Sequence, residues 1–138
     1  MVDAFLALPP DAWRDDHDAL MRREKVVFSR TLARASWPNT AVRRDLVPEV
    51  SRLKRAGGHR LRTWGSLSLV TQLLTAGLVD RLRLVRFPLV ADEAGRQAAF
   101  ATMASCDLEL VHHEVLDDRL LLEEYHPTGR DIPRALPG

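Results

Sequence analysis

The spacing of apolar residues along the chain predicts several short strands. Apolar, β-branched and aromatic residues predict strands at 25–29, 61–64 and 82–87, and residues 40–42 predict a shorter one. The apolar character of 25–29 is continuous rather than alternating. Such a run is typical of a strand covered on both faces, as in a parallel sheet flanked by helices.

Two helices are predicted between these strands. Apolar residues at helical spacing predict one helix from a cap at Asp45 to about Ala56, where Gly57 ends it. A second helix is predicted to start on Ser66 and to stop at Gly77. The resulting order of strand, helix, strand, helix, strand indicates right-handed crossovers that build a parallel sheet.

The pattern changes in the C-terminal part of the chain. Residues 108–115 and 119–125 predict two strands joined by a tight turn at 116–118, which would add an antiparallel edge to the sheet. Short helices are compatible with a cap at Asp11 and with residues 96–103. The predicted fold class is therefore α/β, with a mostly parallel mixed sheet, flanking helices and a C-terminal antiparallel hairpin.

Length and composition fit one globular domain over residues 1–138, with a core at about 24–127 and a tail at 128–138. The formal net charge of +1, from 20 basic and 19 acidic side chains, argues against a general nucleic-acid binder. The sequence shows neither a membrane-spanning apolar run nor a positively charged leader, so a cytoplasmic protein is expected. The single cysteine, Cys106, is either a small core residue or a reactive thiol.

A small-residue turn is the strongest candidate for chemistry. Gly65 and Ser66 stand between a predicted strand and a predicted helix, where free backbone N–H groups and the positive end of a helix dipole favour phosphate. Gly65 lacks a Cβ, so backbone and ligand can approach closely. Ser66 and Ser68 can bind phosphate oxygens or simply cap the helix. The turn predicts binding of a phosphorylated cofactor, with a plain helix cap as the alternative.

Other polar groupings point to no site. His112 and His113 are neighbours on a predicted strand, so they would face opposite ways and could not easily chelate one metal ion. No metal site is expected, and no side chain can be named as a catalytic acid. A basic group either attracts phosphates or keeps the protein in solution; its members are Arg52, Lys54, Arg55, Arg60 and Arg62.

Several short motifs occur together in the order and spacing of one known family. They are Val26–Leu32, Trp37–Thr40, Leu53–Lys54, Trp64–Ser66, Leu73–Leu74, Ala76–Asp80 and Phe87–Pro88. Over roughly residues 20–127, the chain resembles the dihydrofolate reductase-like reductases. Within them, it resembles the C-terminal reductase domain of the bacterial bifunctional riboflavin-biosynthesis deaminase-reductase and its stand-alone relatives.

The resemblance implies a dihydrofolate reductase-like fold, NADPH as cofactor, a small-molecule substrate and a homodimer. In the riboflavin-type reaction, hydride passes from nicotinamide C4 to the ribosyl C1′ of a pyrimidine phosphoribosylamine. The resemblance places the adenosine 2′-phosphate at the turn formed by Ser29, Arg30 and Thr31. A guanidinium and two hydroxyls suit a phosphate dianion, although a polar strand end with a solvated arginine is the alternative.

The resemblance also places the cofactor diphosphate against the turn of the second predicted helix. The residues concerned are Gly65, Ser66, Leu67 and Ser68. Trp64 precedes them, and it could either wall the nicotinamide pocket or lie in the core.

The chain departs from the family pattern in three places. The family opens with a strand, a loop containing Leu-Asp-Gly and a helix ending in Gly-Arg-x-Thr, and nothing before Lys25 matches them. A glycine-rich loop keeps only Gly95, and Arg81 replaces the usual acidic residue. We therefore expect an N-terminally truncated domain, through a late start, a genuine truncation or a segment supplied by another subunit. The alternative function is a non-catalytic dimeric remnant with weak or no nucleotide binding.

Overall fold

The structure, a computed structural model, describes residues 14–58, 60–90, 100 and 105–128. The chain divides into two compact units, residues 1–65 and 66–138. The predicted cap at Asp11, the predicted helix at 96–103, the loop at Gly95 and most of the predicted tail lie outside the described residues.

The described residues of the first unit form two helices and a parallel strand pair. Helix α1 spans Arg14–Arg22, strand β1 Lys25–Phe28, strand β2 Thr40–Arg43 and helix α2 Leu46–Ala56. Strands β1 and β2 pair in parallel, with the β1 residues 25–28 opposite 40–43. Both predicted strands are confirmed, and so is the parallel direction expected from the continuous apolar run at 25–29.

Local sequence explains the bounds of α2. Asp45 occupies the predicted N-cap position, yet within the described residues its carboxylate accepts no capping hydrogen bond. Pro48 lies in the first turn, where a missing N–H costs nothing because that turn has no intrahelical acceptors. Gly57 ends the helix with a φ of 69°, a left-handed conformation that glycine adopts without strain. Val50 is the buried residue of this helix.

A lysine fastens α1 to the beginning of β1. The Nζ of Lys25 donates to the carbonyl oxygens of Leu20 at 2.8 Å and Arg23 at 2.7 Å. An ammonium group at a helix C-terminus is favoured by the helix dipole. Asn39 connects the same two elements. Its side-chain Nδ2 donates to the Met21 carbonyl at 3.1 Å, and its backbone carbonyl accepts from the Lys25 N–H at 2.8 Å. The start of the parallel pair is therefore held in place.

The described residues of the second unit form one helix and an antiparallel sheet. Helix α3 spans Leu67–Thr75, and the strands are β3 Leu82–Arg86, β4 Leu108–Leu116 and β5 Leu120–Pro127. The strand order is β3-β5-β4, and both pairings are antiparallel. The predicted hairpin is confirmed. Its tight turn contains two aspartates in the left-handed region, a conformation that aspartate tolerates better than most residues.

Helix α3 ends where its sequence predicts. The N–H of Leu78 donates to the Leu73 carbonyl at 2.9 Å, and the N–H of Gly77 donates to the Leu74 carbonyl at 3.0 Å. With a φ of 64° at Gly77, these two bonds form a Schellman motif. Leu73 and Leu82 are buried, so among the described residues of this unit the buried apolar side chains come from the end of α3 and the start of β3.

The predicted strand at 61–64 is wrong. These residues are described, and they adopt no regular secondary structure. Leu61 and Trp64 are 49% and 58% exposed, and Arg62 interrupts the apolar run. A strand exists only when a neighbouring strand satisfies its backbone groups. The segment has β-type residues, yet none of the described strands pairs with it.

The observed elements confirm the α/β class with mixed strand directions. The described strands form a two-stranded parallel sheet and a three-stranded antiparallel sheet. No helix among the described residues combines the length and the hydrophobicity needed to cross a membrane.

Candidate cofactor site

The turn after β1 is locked by hydrogen bonds to Ser29. The Ser29 Oγ accepts from the backbone N–H of Leu32 at 3.1 Å and of Thr31 at 3.4 Å. The Ser29 N–H donates to the Arg43 carbonyl at 3.1 Å, and the Ser29 carbonyl accepts from the Arg44 guanidinium. A serine hydroxyl has two acceptor positions and one donor hydrogen. The turn uses the acceptor positions, so the O–H of Ser29 is the group that can be offered to an anion.

The predicted phosphate residues lie at the carboxyl end of the parallel pair. Arg30 and Thr31 are exposed and follow β1 directly, and Arg44 follows the neighbouring strand β2. Ligands of parallel α/β folds bind outside the carboxyl ends of strands. Sequence reasoning missed Arg44. The sequence does contain a signal for it, because Arg44 is a basic residue just after the strand predicted at 40–42.

Arg43, next to Arg44, is engaged elsewhere. Its Nε donates to Glu49 Oε1 at 3.2 Å, and Arg52 reaches both oxygens of the same carboxylate, with Nη2–Oε1 at 2.8 Å and Nε–Oε2 at 3.0 Å. The hydrogen bond from Arg52, with a further contribution from Arg43, lowers the pKa of Glu49 to about 2. Arg52, a member of the predicted basic group, is thus paired with a carboxylate that it shares with Arg43. These side chains line a groove of about 400 Å³ together with Val42, Arg44, Asp45 and Pro48.

The start of α3 supports both interpretations of its serines. Ser66 is the N-cap, and its Oγ accepts from the Leu69 N–H at 3.2 Å, so the hydroxyl is used as a helix cap. The N–H groups of Leu67 and Ser68 belong to the first turn, which has no intrahelical acceptors for them. The carbonyl and Oγ of Ser68 accept from Gln72 Nε2 at 3.2 and 3.3 Å. This end of the helix can therefore offer an anion two backbone N–H groups and the Ser68 O–H.

Trp64 and Gly65 form the approach to this helix. Gly65 is exposed and has a φ of 63°, which is the left-handed conformation that a side chain would strain. Trp64 is 58% exposed, so its indole is not a core side chain in this structure. The alternative prediction, that Trp64 lies in the core, is therefore wrong.

The predicted cofactor residues fall in both units. In the first unit, a hydrogen bond joins Arg44 to Ser29, and Arg30 and Thr31 follow Ser29 in the chain. Trp64 and Gly65 close that unit, and the second unit begins with Ser66. That the two groups form one dinucleotide site stays a prediction.

The arginines of β3 are neutralised within the antiparallel sheet. Arg83 Nε donates to Glu124 Oε1 at 2.6 Å, and this hydrogen bond lowers the pKa of Glu124. Arg86 Nε lies 2.9 Å from Glu123 Oε2. Cross-strand pairs of opposite charge stabilise a sheet. The arginine-rich stretch that begins at Arg81 therefore fastens β3 to β5, and these paired arginines are not available to bind a phosphate.

Among the residues that the structure describes, no group of three His, Cys, Asp or Glu side chains is arranged to hold a metal ion. His112 and His113 are adjacent on β4 and lie opposite Glu124 and Glu123 of β5. Cys106 is half-buried.

Comparison with known sequences decides the family. The family model described as RibD C-terminal domain matches residues 14–122. The chain belongs to this family. The predicted resemblance is therefore confirmed, and with it the coarse assignment to a reductase-like family. The match to the RibD C-terminal domain runs from the first residue of α1 into β5.

Two relatives extend this result. The chain is 27% identical over 120 residues to "Uncharacterized protein YyaP" of Bacillus subtilis (strain 168). The matched region covers 87% of this chain. The match spans 63% of that relative's length. A crystal structure from Shewanella sp. PV-4, provisionally named a riboflavin biosynthesis protein, has a TM-score of 0.63 at 20% identity. The match covers 83% of this chain and 71% of the Shewanella chain, which shows a shared fold.

Proposed function

We propose that this RibD C-terminal domain binds NADPH and acts as an NADPH-dependent reductase of the riboflavin-biosynthesis type. The observation that carries the proposal is the turn after β1. It offers the Ser29 hydroxyl and the Arg30 guanidinium at the carboxyl end of a parallel strand pair. A guanidinium beside a hydroxyl donor suits a phosphate monoester such as the 2′-phosphate that distinguishes NADPH from NADH.

The residues of this chain act by binding and orienting. Ser29, Arg30 and Thr31 would hold the 2′-phosphate, and the N–H groups of Leu67 and Ser68 would face the diphosphate. Gly65 would let the backbone approach it closely. The bound nicotinamide supplies the hydride chemistry, so the contribution of the protein to the rate is mainly positioning. We further propose a small-molecule substrate, a cytoplasmic location and no nucleic-acid partner, in keeping with the family and the near-zero net charge.

The first test is direct binding of the cofactor. Titration with NADPH should change the fluorescence of the three tryptophans, Trp13, Trp37 and Trp64, in a saturable manner, because Trp64 precedes the proposed diphosphate turn. The protein should bind NADPH more tightly than NADH, since only NADPH carries the 2′-phosphate. A folded protein whose fluorescence does not respond up to millimolar NADPH would contradict the reductase proposal.

The second candidate is a non-catalytic dimer, and one observation supports the dimer that it requires. Among the described residues, the buried apolar side chains are Val50, Leu73 and Leu82. By contrast, Leu110 and Val115 of β4 are 51% and 61% exposed. An apolar edge strand is a template for pairing with another chain. If NADPH does not bind and the protein is dimeric, the non-catalytic candidate replaces the reductase.

In either case, we propose that the homodimer forms through β4, one of the two outer strands of the described antiparallel sheet. His112 and Glu114 are two residues apart, so antiparallel pairing about His113 would place each histidine opposite the glutamate of the second copy. The same register would place Val111, which lies at the register shift of β4, opposite Val115. This self-complementary pattern favours a second copy of the chain as the occupant of the edge.

Val115→Arg is expected to shift the protein from dimer to monomer, because it places a charge at an apolar cross-strand contact. Sedimentation velocity over a range of protein concentrations measures the shift. Val90→Arg is the matched control, since Val90 is fully exposed in a loop, and it should leave the dimer intact. A dimer that survives the Val115 change would exclude the β4 interface.

A further inference from the structure

Two consecutive arginines follow β2, and the structure separates their roles. Arg43 is bonded to the Glu49 carboxylate through its Nε. Arg44 turns to the neighbouring strand end, where its Nη1 donates to the carbonyl oxygen of Ser29. Ser29 and Arg44 are 15 positions apart in the chain, and the parallel pairing of β1 and β2 brings them together. Arg44 therefore belongs to the Ser29 turn, whereas Arg43 belongs to the ion cluster of α2.

The Arg44 guanidinium keeps most of its donors and its charge. A guanidinium has five N–H donors, and the bond to Ser29 uses one of them on a neutral carbonyl. Among the described residues, Arg43, Arg52, Arg83 and Arg86 each pair with a glutamate, whereas Arg44 pairs with no carboxylate. Its charge is therefore uncompensated at the place where Arg30 is also exposed.

We infer that Arg44 is a second anchor for the 2′-phosphate and sets the preference of this protein for NADPH over NADH. The inference rests on the proposed function and adds to it a residue from a second strand. Three donors then belong to two neighbouring strand ends: the Ser29 hydroxyl and Arg30 guanidinium after β1, and the Arg44 guanidinium after β2. The bond to the Ser29 carbonyl orients the guanidinium, which leaves its other edge for bidentate contact with phosphate oxygens.

The experiment compares Arg44→Gln with Arg43→Gln in the full chain. Dissociation constants for NADPH and NADH are measured by fluorescence titration at several salt concentrations. Arg44→Gln is expected to weaken NADPH binding by about tenfold and to leave NADH binding unchanged. Arg43→Gln removes the same charge one residue away and should change the ratio of the two constants by less than about twofold, because screening weakens charges that make no contact.

A structural role through the Ser29 carbonyl would give a different pattern. Ser29→Ala removes the hydroxyl that holds the turn but leaves both guanidinium charges in place. It should weaken NADPH binding without changing its salt dependence. Arg44→Gln should weaken both the binding and the salt dependence, because it removes a charge that contacts the phosphate. Arg44→Lys, which keeps the charge without the bidentate geometry, should fall between Arg44→Gln and the unaltered protein.

Each outcome decides one question. If the unaltered protein binds NADPH and both Arg44→Gln and Arg43→Gln leave the ratio of the two dissociation constants nearly unchanged, the role inferred for Arg44 is wrong. The reductase proposal then stands. If Arg44→Gln and Ser29→Ala both weaken NADPH binding with unchanged salt dependence, Arg44 acts only on the turn, which also overturns the inference. If the unaltered protein binds neither nucleotide, the proposed function fails and the inference fails with it. Circular dichroism of each variant establishes that it is folded, and Arg44→Lys replaces Arg44→Gln if the latter does not fold.

Discussion

Replacing Gly65 by valine is expected to weaken NADPH binding by about tenfold or more. The φ of 63° at this residue is left-handed, and a residue with a Cβ pays roughly 1–2 kcal/mol there, which corresponds to about tenfold in an equilibrium constant. Valine is worse than alanine because branching at Cβ restricts it further. The backbone must either keep its strained form, with a side chain where the diphosphate would lie, or shift and misplace the first turn of α3.

Gly58→Val is the matched control for this experiment. Gly58 has a φ of 84°, and a Cβ built on it meets no atom within 4 Å. Both substitutions impose left-handed strain on valine, so both should lower the free energy of unfolding by similar amounts. Only Gly65→Val should weaken NADPH binding, measured by fluorescence titration. Equal losses of affinity in the two variants would show that Gly65 has no particular relation to the cofactor.

Leu73→Ala is expected to lower the free energy of unfolding by about 2–5 kcal/mol. Leu73 is 6% exposed, and it is one of the few buried apolar side chains among the described residues. Its carbonyl also accepts the N–H of Leu78 in the motif that ends α3, a motif often accompanied by an apolar contact between these two positions. Truncation removes the buried methyl groups and leaves a cavity beside the helix end.

Urea denaturation followed by circular dichroism measures this loss. Leu110→Ala is the control, because Leu110 carries the same side chain in a half-exposed position of β4. It should cost clearly less than Leu73→Ala in the monomeric background of Val115→Arg. Equal costs at the two positions would mean that burial at Leu73 contributes little to stability.

Local sequence signals predicted most of the elements. The bounds of α2 followed from Asp45 and Gly57, and those of α3 from Ser66 and Gly77, because capping depends on residues within one turn of the helix end. The hairpin of β4 and β5 was predicted for the same reason, since its strands are joined by a tight turn. These signals are properties of a few neighbouring residues, so the sequence contains them completely.

The strand expected at 61–64 and the role of Arg44 could not be predicted in the same way. The strand prediction used residue type alone, whereas a strand requires a partner that lies elsewhere in the chain. Arg43 and Arg44 are identical in type and adjacent in sequence, so no local pattern separates a residue that binds Glu49 from one that binds Ser29. The hydroxyl of Ser66 was likewise open to two interpretations until its bond to the Leu69 N–H was seen.

The sequence by itself determined α2, α3, most of the strands, the hairpin and the family, because periodicity, caps and ordered motifs are read along the chain. Among the described residues, the tertiary structure alone decided which arginines pair with a carboxylate and which do not. Arg52 and Arg83 are bound to glutamates, whereas Arg44 meets Ser29 because the parallel register of β1 and β2 sets two strand ends side by side. Such a meeting depends on pairing between distant segments, which the residue pattern of either segment does not contain.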